Sequence, residues 1–159
     1  MKRFGFLIIL IALVSTACVP RINDFPTPPP NFTPASPPTA KLGEEFTVKS
    51  GSSPVSVDNG GMEIHIYRIV SDSRCPLTVE CVEQGPVVLE FQVSTADITR
   101  QQITLSLLAD KSDPATVGDY WITLVSVDPY PQNPDSLRPG DYTATLIVTK
   151  CESGAVSCP

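Results

Sequence analysis

Cys75, Cys81, Cys151 and Cys158 form two close pairs in a 159-residue sequence, at spacings C-x5-C and C-x6-C. Thiols can bind zinc, act as nucleophiles or oxidise to disulfides. These spacings are looser than the C-x2–4-C pairs of zinc sites, and an even number of cysteines suits pairing in an oxidising compartment. Sequence alone leaves the connectivity open; closeness favours Cys75–Cys81 and Cys151–Cys158. On the chain-entropy account each short loop would contribute about 2 kcal/mol. With all four paired, none is expected to act as a nucleophile, and no metal or cofactor is implied.

Charged side chains surround the first pair. Asp72, Arg74, Glu80 and Glu83 lie on a loop that the disulfide would stiffen, and stiffening lowers the ordering cost of binding a partner. The competing reading is that Arg74 pairs with Asp72 or Glu80 and only holds the loop in place. His65, the one histidine, stands between Glu63 and Tyr67 on the polar phase of a strand, with no neighbouring nucleophile legible in sequence. The serines occupy neither a G-x-S-x-G nor an S-x-x-K context. No catalytic residue is assigned. Asp110, Asp113, Asp119, Asp128, Asp135 and Asp141 cluster at turns, where backbone hydrogen bonding already accounts for aspartate; their spacing matches no EF-hand calcium loop. Trp121 and Tyr130 are the candidate interface aromatics.

Residues 1–17 resemble an export signal. Lys2 and Arg3 precede the uncharged run Phe4 to Val14, then Ser15, Thr16 and Ala17. That run is about half the ~20 residues a membrane-spanning helix needs. Cys18 follows Ala17, and the segment resembles a bacterial lipobox, with Ser15 where leucine is usual and Val14 one place earlier. The resemblance implies cleavage before Cys18 and its lipidation, each buried CH₂ adding about 0.8 kcal/mol of membrane affinity. The localisation expected is the bacterial cell envelope, outside the cytoplasm and lipid-anchored; the alternative is secretion.

From Pro20 to Pro38 come eight of the chain's 17 prolines. Proline removes amide donors and clashes with helical turns, so residues 18–42 are expected to be an extended tether. Loss of residues 1–17 removes two basic residues and no acid, taking the net charge from −6 to −8. A surface so acidic excludes a nucleic-acid partner of the usual kind, which requires a basic face.

From residue 43 to 159 the pattern changes to a period of two. Met62, Ile64 and Ile66 alternate with Glu63, His65 and Tyr67, and Val87, Leu89, Phe91 and Val93 are separated by single residues. Ile103 to Leu107, Tyr120 to Leu124 and Tyr142 to Val148 repeat the pattern, and weaker strands fall at Glu45 to Lys49 and around Val55 to Val57. Turn-forming residues separate these runs at 58–61, 83–86, 110–118 and 129–140. The reading is an all-β domain, an antiparallel β-sandwich of immunoglobulin-like arrangement, with a small β-barrel as the alternative.

The stretch Asp72-Ser73-Arg74-Cys75-Pro76, then Val79, Cys81, Val82 and Gly85, resembles a signature of uncharacterised secreted or lipid-anchored bacterial proteins. The likeness extends from about Gly43 to Val148 and includes Val127-x-Pro129 and Asp141-Tyr142-x-Ala144-x-Leu146. Family members often carry an aromatic residue where this chain has Glu83. The resemblance brings no established activity. The function expected is a non-enzymatic binding module at the envelope, held to the membrane by lipid on Cys18 and contacting an envelope protein. A structural or assembly domain and an envelope hydrolase are the alternatives.

Overall fold

The computed structural model describes residues 36–151. The expected signal peptide, the lipidation site at Cys18, most of the tether, and Cys158 lie outside the described residues.

Ten strands are described: β1 (Thr39–Ala40), β2 (Glu45–Lys49), β3 (Val55–Val57), β4 (Met62–Asp72), β5 (Val87–Thr95), β6 (Gln101–Leu108), β7 (Lys111–Ser112), β8 (Ala115–Val117), β9 (Tyr120–Asp128) and β10 (Thr143–Lys150). They form two sheets, one ordered β1-β3-β4-β5-β6-β7 and the other β2-β10-β9-β8. Every pairing is antiparallel except β1 with β3, which is parallel. The all-β sandwich read from periodicity is therefore present. Its strand order is serial, with β3 through β7 consecutive neighbours, whereas an immunoglobulin constant-type domain interleaves its strands between sheets. The chain changes sheet three times, between β1 and β2, between β2 and β3, and between β7 and β8.

Alternation builds the core. Val87, Leu89, Phe91 and Val93 of β5 are fully buried, as are Ala144, Leu146 and Val148 of β10, with their even or odd neighbours facing out. Met62, Ile64, Leu105, Ile122 and Leu124 fill the space between the sheets. Each such side chain contributes roughly 1.5–3 kcal/mol on leaving water. β-branched residues dominate because they fit the pleated surface.

Two expectations are corrected. Proline content places residues 39 and 40 in the tether, yet β1 pairs Thr39 with Ser56 and Ala40 with Val57, so the folded domain begins before residue 43. Turn-forming residues make 110–118 one turn in the sequence, yet the segment holds β7 and β8. The turn proper is Ala109-Asp110, both at positive φ (46° and 66°), a tight hairpin geometry. Strands of two or three residues around Pro114 are too short to display a period.

The pleat is interrupted at one end. In β4 the inward residues run Ile64, Ile66, Ile69 and Asp72, because bulges fall between Ile66 and Arg68 and again between Ile69 and Ser71. β9 has an irregularity against Thr145 and Leu146, so that its inward sequence goes from Leu124 to Val127. A bulge re-aims the side chains that follow it. Phe91, fully buried, lies opposite Ile66 on one side and Ile103 on the other. Phe91→Ala should lower stability by about 3–5 kcal/mol, measured by urea denaturation with an unchanged slope.

Candidate functional site

The bulged ends of β4 and β9 meet at one mouth of the sandwich. Asp72, opposite the buried Val87, closes β4 on the inward phase. Two residues later the chain places Arg74, the buried charged residue among those described, at 8% exposure. Its Nε donates to Asp72 Oδ1 at 2.9 Å and its Nη2 to Asp72 Oδ2 at 2.7 Å, a bidentate pair. Its Nη1 donates to the Val127 carbonyl at 2.6 Å and Nη2 also to that of Pro129 at 3.0 Å. Tyr142, just before β10, donates its hydroxyl to Asp72 Oδ2 at 3.2 Å. The guanidinium also lies 5.1 Å from the ring centre of Tyr130. A side chain following the larger sheet is thus bonded to the end of the smaller one. The peptide bond Asp128–Pro129 within this contact is cis.

The loop beyond Arg74 is held at three places. Cys75 and Cys81 form a disulfide with Cα atoms 5.9 Å apart. The amides of Leu77 and Thr78 donate to the carbonyls of Pro131 and Gln132, each at 3.1 Å, which ties this loop to the one spanning 129–141. The Gly85 amide donates to the Ser73 carbonyl at 2.9 Å, and a Cβ at Gly85 would lie 2.5 Å from that of Ser73. Glycine is therefore needed there for the two backbones to approach.

Between these loops runs a groove of about 450 Å³. Asp72, Arg74 and Tyr142 form its floor, and Pro76, Pro131, Pro134 and Leu137 its walls. Outside it the loop exposes apolar side chains: Leu77 is 67% exposed, Val79 42% and Val82 fully. Glu80 and Glu83 are exposed beside them.

The four loop charges therefore divide. Asp72 and Arg74 pair with each other, as the structural reading of Arg74 proposed, and Glu80 and Glu83 face solvent. Tyr130 joins the site beneath Arg74. Trp121 does not; it is half-buried near the far end of β9, on the outer face of the smaller sheet, opposite Thr149 and Thr116. His65 is half-buried on the outer face of the larger sheet opposite Gln92, in a shallow depression shared with Glu63, Ser94 and Arg100. Cys151 is disulfide-bonded; its expected partner Cys158 lies outside the described residues. The turn aspartates act locally: Asp141 Oδ2 accepts the Arg138 amide at 2.8 Å, and Asp110 and Asp135 sit at positive φ. Among the described residues no three metal-ligating side chains of His, Cys, Asp or Glu converge.

Sequence reading missed the role of Tyr142 and of the Val127 and Pro129 carbonyls. A signal existed for Tyr142: it falls on the inward phase at the mouth of β10, where a phenol requires a hydrogen-bond partner. A second cluster, also missed, occupies the opposite mouth. There Tyr120 donates to Asp58 Oδ2 at 3.0 Å, and Lys150 Nζ lies 3.3 Å from the same oxygen and 5.2 Å from the Tyr120 ring centre. Gly61 fits against it, since a Cβ there would lie 2.5 Å from the Tyr120 hydroxyl.

Burial by itself would raise the Asp72 pKa, but hydrogen bonds from Arg74 and Tyr142 and the Arg74 charge prevail, leaving it below 3.8. The Tyr142 hydroxyl is pushed up from 10.0 to about 12, first by burial and then by the Asp72 carboxylate. At neutral pH the pair is therefore carboxylate and phenol, acceptor and donor.

Removing one partner of a buried pair strands the other charge. Arg74→Ala should cost about 3–5 kcal/mol in denaturant unfolding. Asp72 contributes stability above its unfolded pKa near 3.8, lost as pH falls through the lower folded value. Asp72→Asn should be less stable at pH 7, with the gap to the native chain narrowing on acidification. Tyr142 acts in the opposite direction: its contribution is complete below pH 10.0 and lost as pH rises towards about 12. The stability difference between the native chain and Tyr142→Phe should shrink over that window, followed by circular dichroism.

No protein-family model matches the chain, and neither a curated protein nor a solved structure matches it.

Proposed function

We propose that this chain is a lipid-anchored, extracytoplasmic binding module that captures a partner protein of the cell envelope at its disulfide-loop mouth. The observation that carries the proposal is the combination of a pre-formed groove with solvent-exposed Leu77, Val79 and Val82 on a loop closed by a disulfide and tied to its neighbour. Exposed apolar side chains on a fixed loop favour association, because little ordering entropy remains to be lost when a partner binds. Glu80 and Glu83 on the same tip, and Asp135 beside the groove, select a partner segment with apolar and basic side chains. The buried Asp72–Arg74 pair, at the floor of the groove, holds the site in shape.

The anchor follows from the signal-like N-terminus and Cys18, and the proline-rich segment would carry the domain away from the bilayer. The likeness to secreted and lipid-anchored bacterial proteins in the Asp72 to Gly85 signature supports the same assignment.

A photocrosslinking residue at Val82, in intact cells, should yield a discrete adduct that the same residue at Thr116, exposed on β8, does not. Glu80→Lys with Glu83→Lys should reduce that adduct at least several-fold. Equal labelling at both positions would sink the assignment of the loop mouth. A fatty-acid analogue should label the native chain and leave Cys18→Ala unlabelled; equal label in the two would remove the lipid anchor.

A further inference from the structure

Of the four strands that end the two sheets, β1, β7 and β8 are two or three residues long, whereas β2 has five. Its inner edge is paired with β10, and the Ser50 amide donates to the Tyr142 carbonyl at 2.8 Å. Bonding groups alternate along an antiparallel strand. The amides of Phe46, Val48 and Ser50 therefore point towards β10, and those of Glu45, Thr47 and Lys49 point away from it. Phe46 and Val48 turn their side chains inward, while Glu45, Thr47 and Lys49 are exposed. Among the described residues neither Glu45 nor Lys49 takes part in an ion pair.

Charged residues on an edge strand ordinarily discourage strand addition. Here they are arranged symmetrically about Thr47, in the order Glu45-Phe46-Thr47-Val48-Lys49. A second copy laid antiparallel with Thr47 opposite Thr47 places each Glu45 opposite the other copy's Lys49. Any parallel in-register pairing places like charges together. The strand is complementary to itself in one orientation and one register, as a two-fold symmetric contact requires.

We infer that β2 is the contact through which two copies of this chain associate, antiparallel about a two-fold axis at Thr47, joining their four-stranded sheets into one continuous sheet. The outward phase of the edge fits this register. Thr47 exchanges main-chain bonds with its own mate, and each Lys49 amide reaches the facing Glu45 carbonyl. The Lys49 carbonyl already accepts the Ser52 hydroxyl at 2.7 Å, which marks where the pairing ends. This contact lies away from the disulfide-loop mouth and does not depend on the function proposed for it.

The test uses the full chain in mild detergent. Opposed residues of a bonded antiparallel pair have Cα atoms about 5.5 Å apart, within the roughly 4.4–6.8 Å a disulfide spans. Thr47→Cys should form a covalent dimer on mild oxidation, beyond any formed by the native chain. Glu45→Cys alone should not, since two copies of residue 45 would lie on the order of 14 Å apart. Glu45→Cys mixed with Lys49→Cys should crosslink. By sedimentation, Glu45→Lys should weaken self-association about tenfold through two opposed like-charge pairs, and adding Lys49→Glu to it should restore the native value. A chain that stays monomeric up to millimolar concentration would overturn the inference. So would crosslinking at Glu45 alone, or a dimer indifferent to Glu45→Lys. Covalent capture of a different protein at Thr47→Cys, in place of a second copy, would also overturn it.

Discussion

The bidentate contact of Arg74 with Asp72 is the constraint on which the working end of this protein depends. A guanidinium at 8% exposure is tolerable only when its donors are engaged, because desolvating an unpaired charge costs several kcal/mol. Asp72 neutralises it, the Val127 and Pro129 carbonyls take further donors, and Tyr130 lies against its face. The partners of Arg74 come from two stretches, Asp72 at the end of β4 and residues 127–130 at the end of β9. Asp72 in turn accepts from Tyr142 before β10, so one pair brings β4, β9, the residue preceding β10 and two loops together. The disulfide acts on a smaller scale. It closes the loop, whereas Arg74 determines where the loop sits.

The opposite mouth repeats this chemistry in a more exposed form. There too a tyrosine of the smaller sheet, Tyr120 at the start of β9, donates to an aspartate from the larger sheet's side. Here the cation, Lys150, lies near that same tyrosine's ring, whereas Arg74 lies near Tyr130 and not near the donor Tyr142. Between the two clusters the sandwich is held mainly by apolar side chains, with the Leu124 amide donating to the Ser112 hydroxyl across the sheets at 3.3 Å. A hydrophobic core is non-directional and tolerates sliding of one sheet over the other; hydrogen-bonded charges at both mouths do not. This division suits a domain whose loops must present a fixed surface: packing provides cohesion and the two polar clusters provide registration.

Much of the architecture was legible because a half-buried strand writes its burial into every second residue. β5, β6, β10 and the first halves of β4 and β9 follow that rule, and their inward residues are the ones alternation selects. The rule stops at the bulges. After Ile66 the inward residues of β4 come at Ile69 and Asp72, and after Leu124 that of β9 comes at Val127; period-two reading would put Asp72 inward only by coincidence, since two successive shifts cancel. β1, β7 and β8 were missed for another reason, being too short to repeat anything. Their place beside the cysteine loop singles out Asp72 and Arg74, but as an interaction surface as much as a structural pair. Sequence could not choose, because Arg74 reaches a carbonyl 53 residues away.

What the chain determines alone is local: which segments are strands, where glycine, proline and aspartate turn them, and which cysteines lie close enough to join. Tertiary structure decided which charges would be buried and which exposed. The reason is physical: alternation and turn chemistry depend on neighbours along the chain, whereas a buried charge depends on what closes over it. For Arg74 that cover comes from Val127, Pro129 and Tyr130, and for its partner Asp72 from Tyr142, residues brought there only when the second sheet packs on the first.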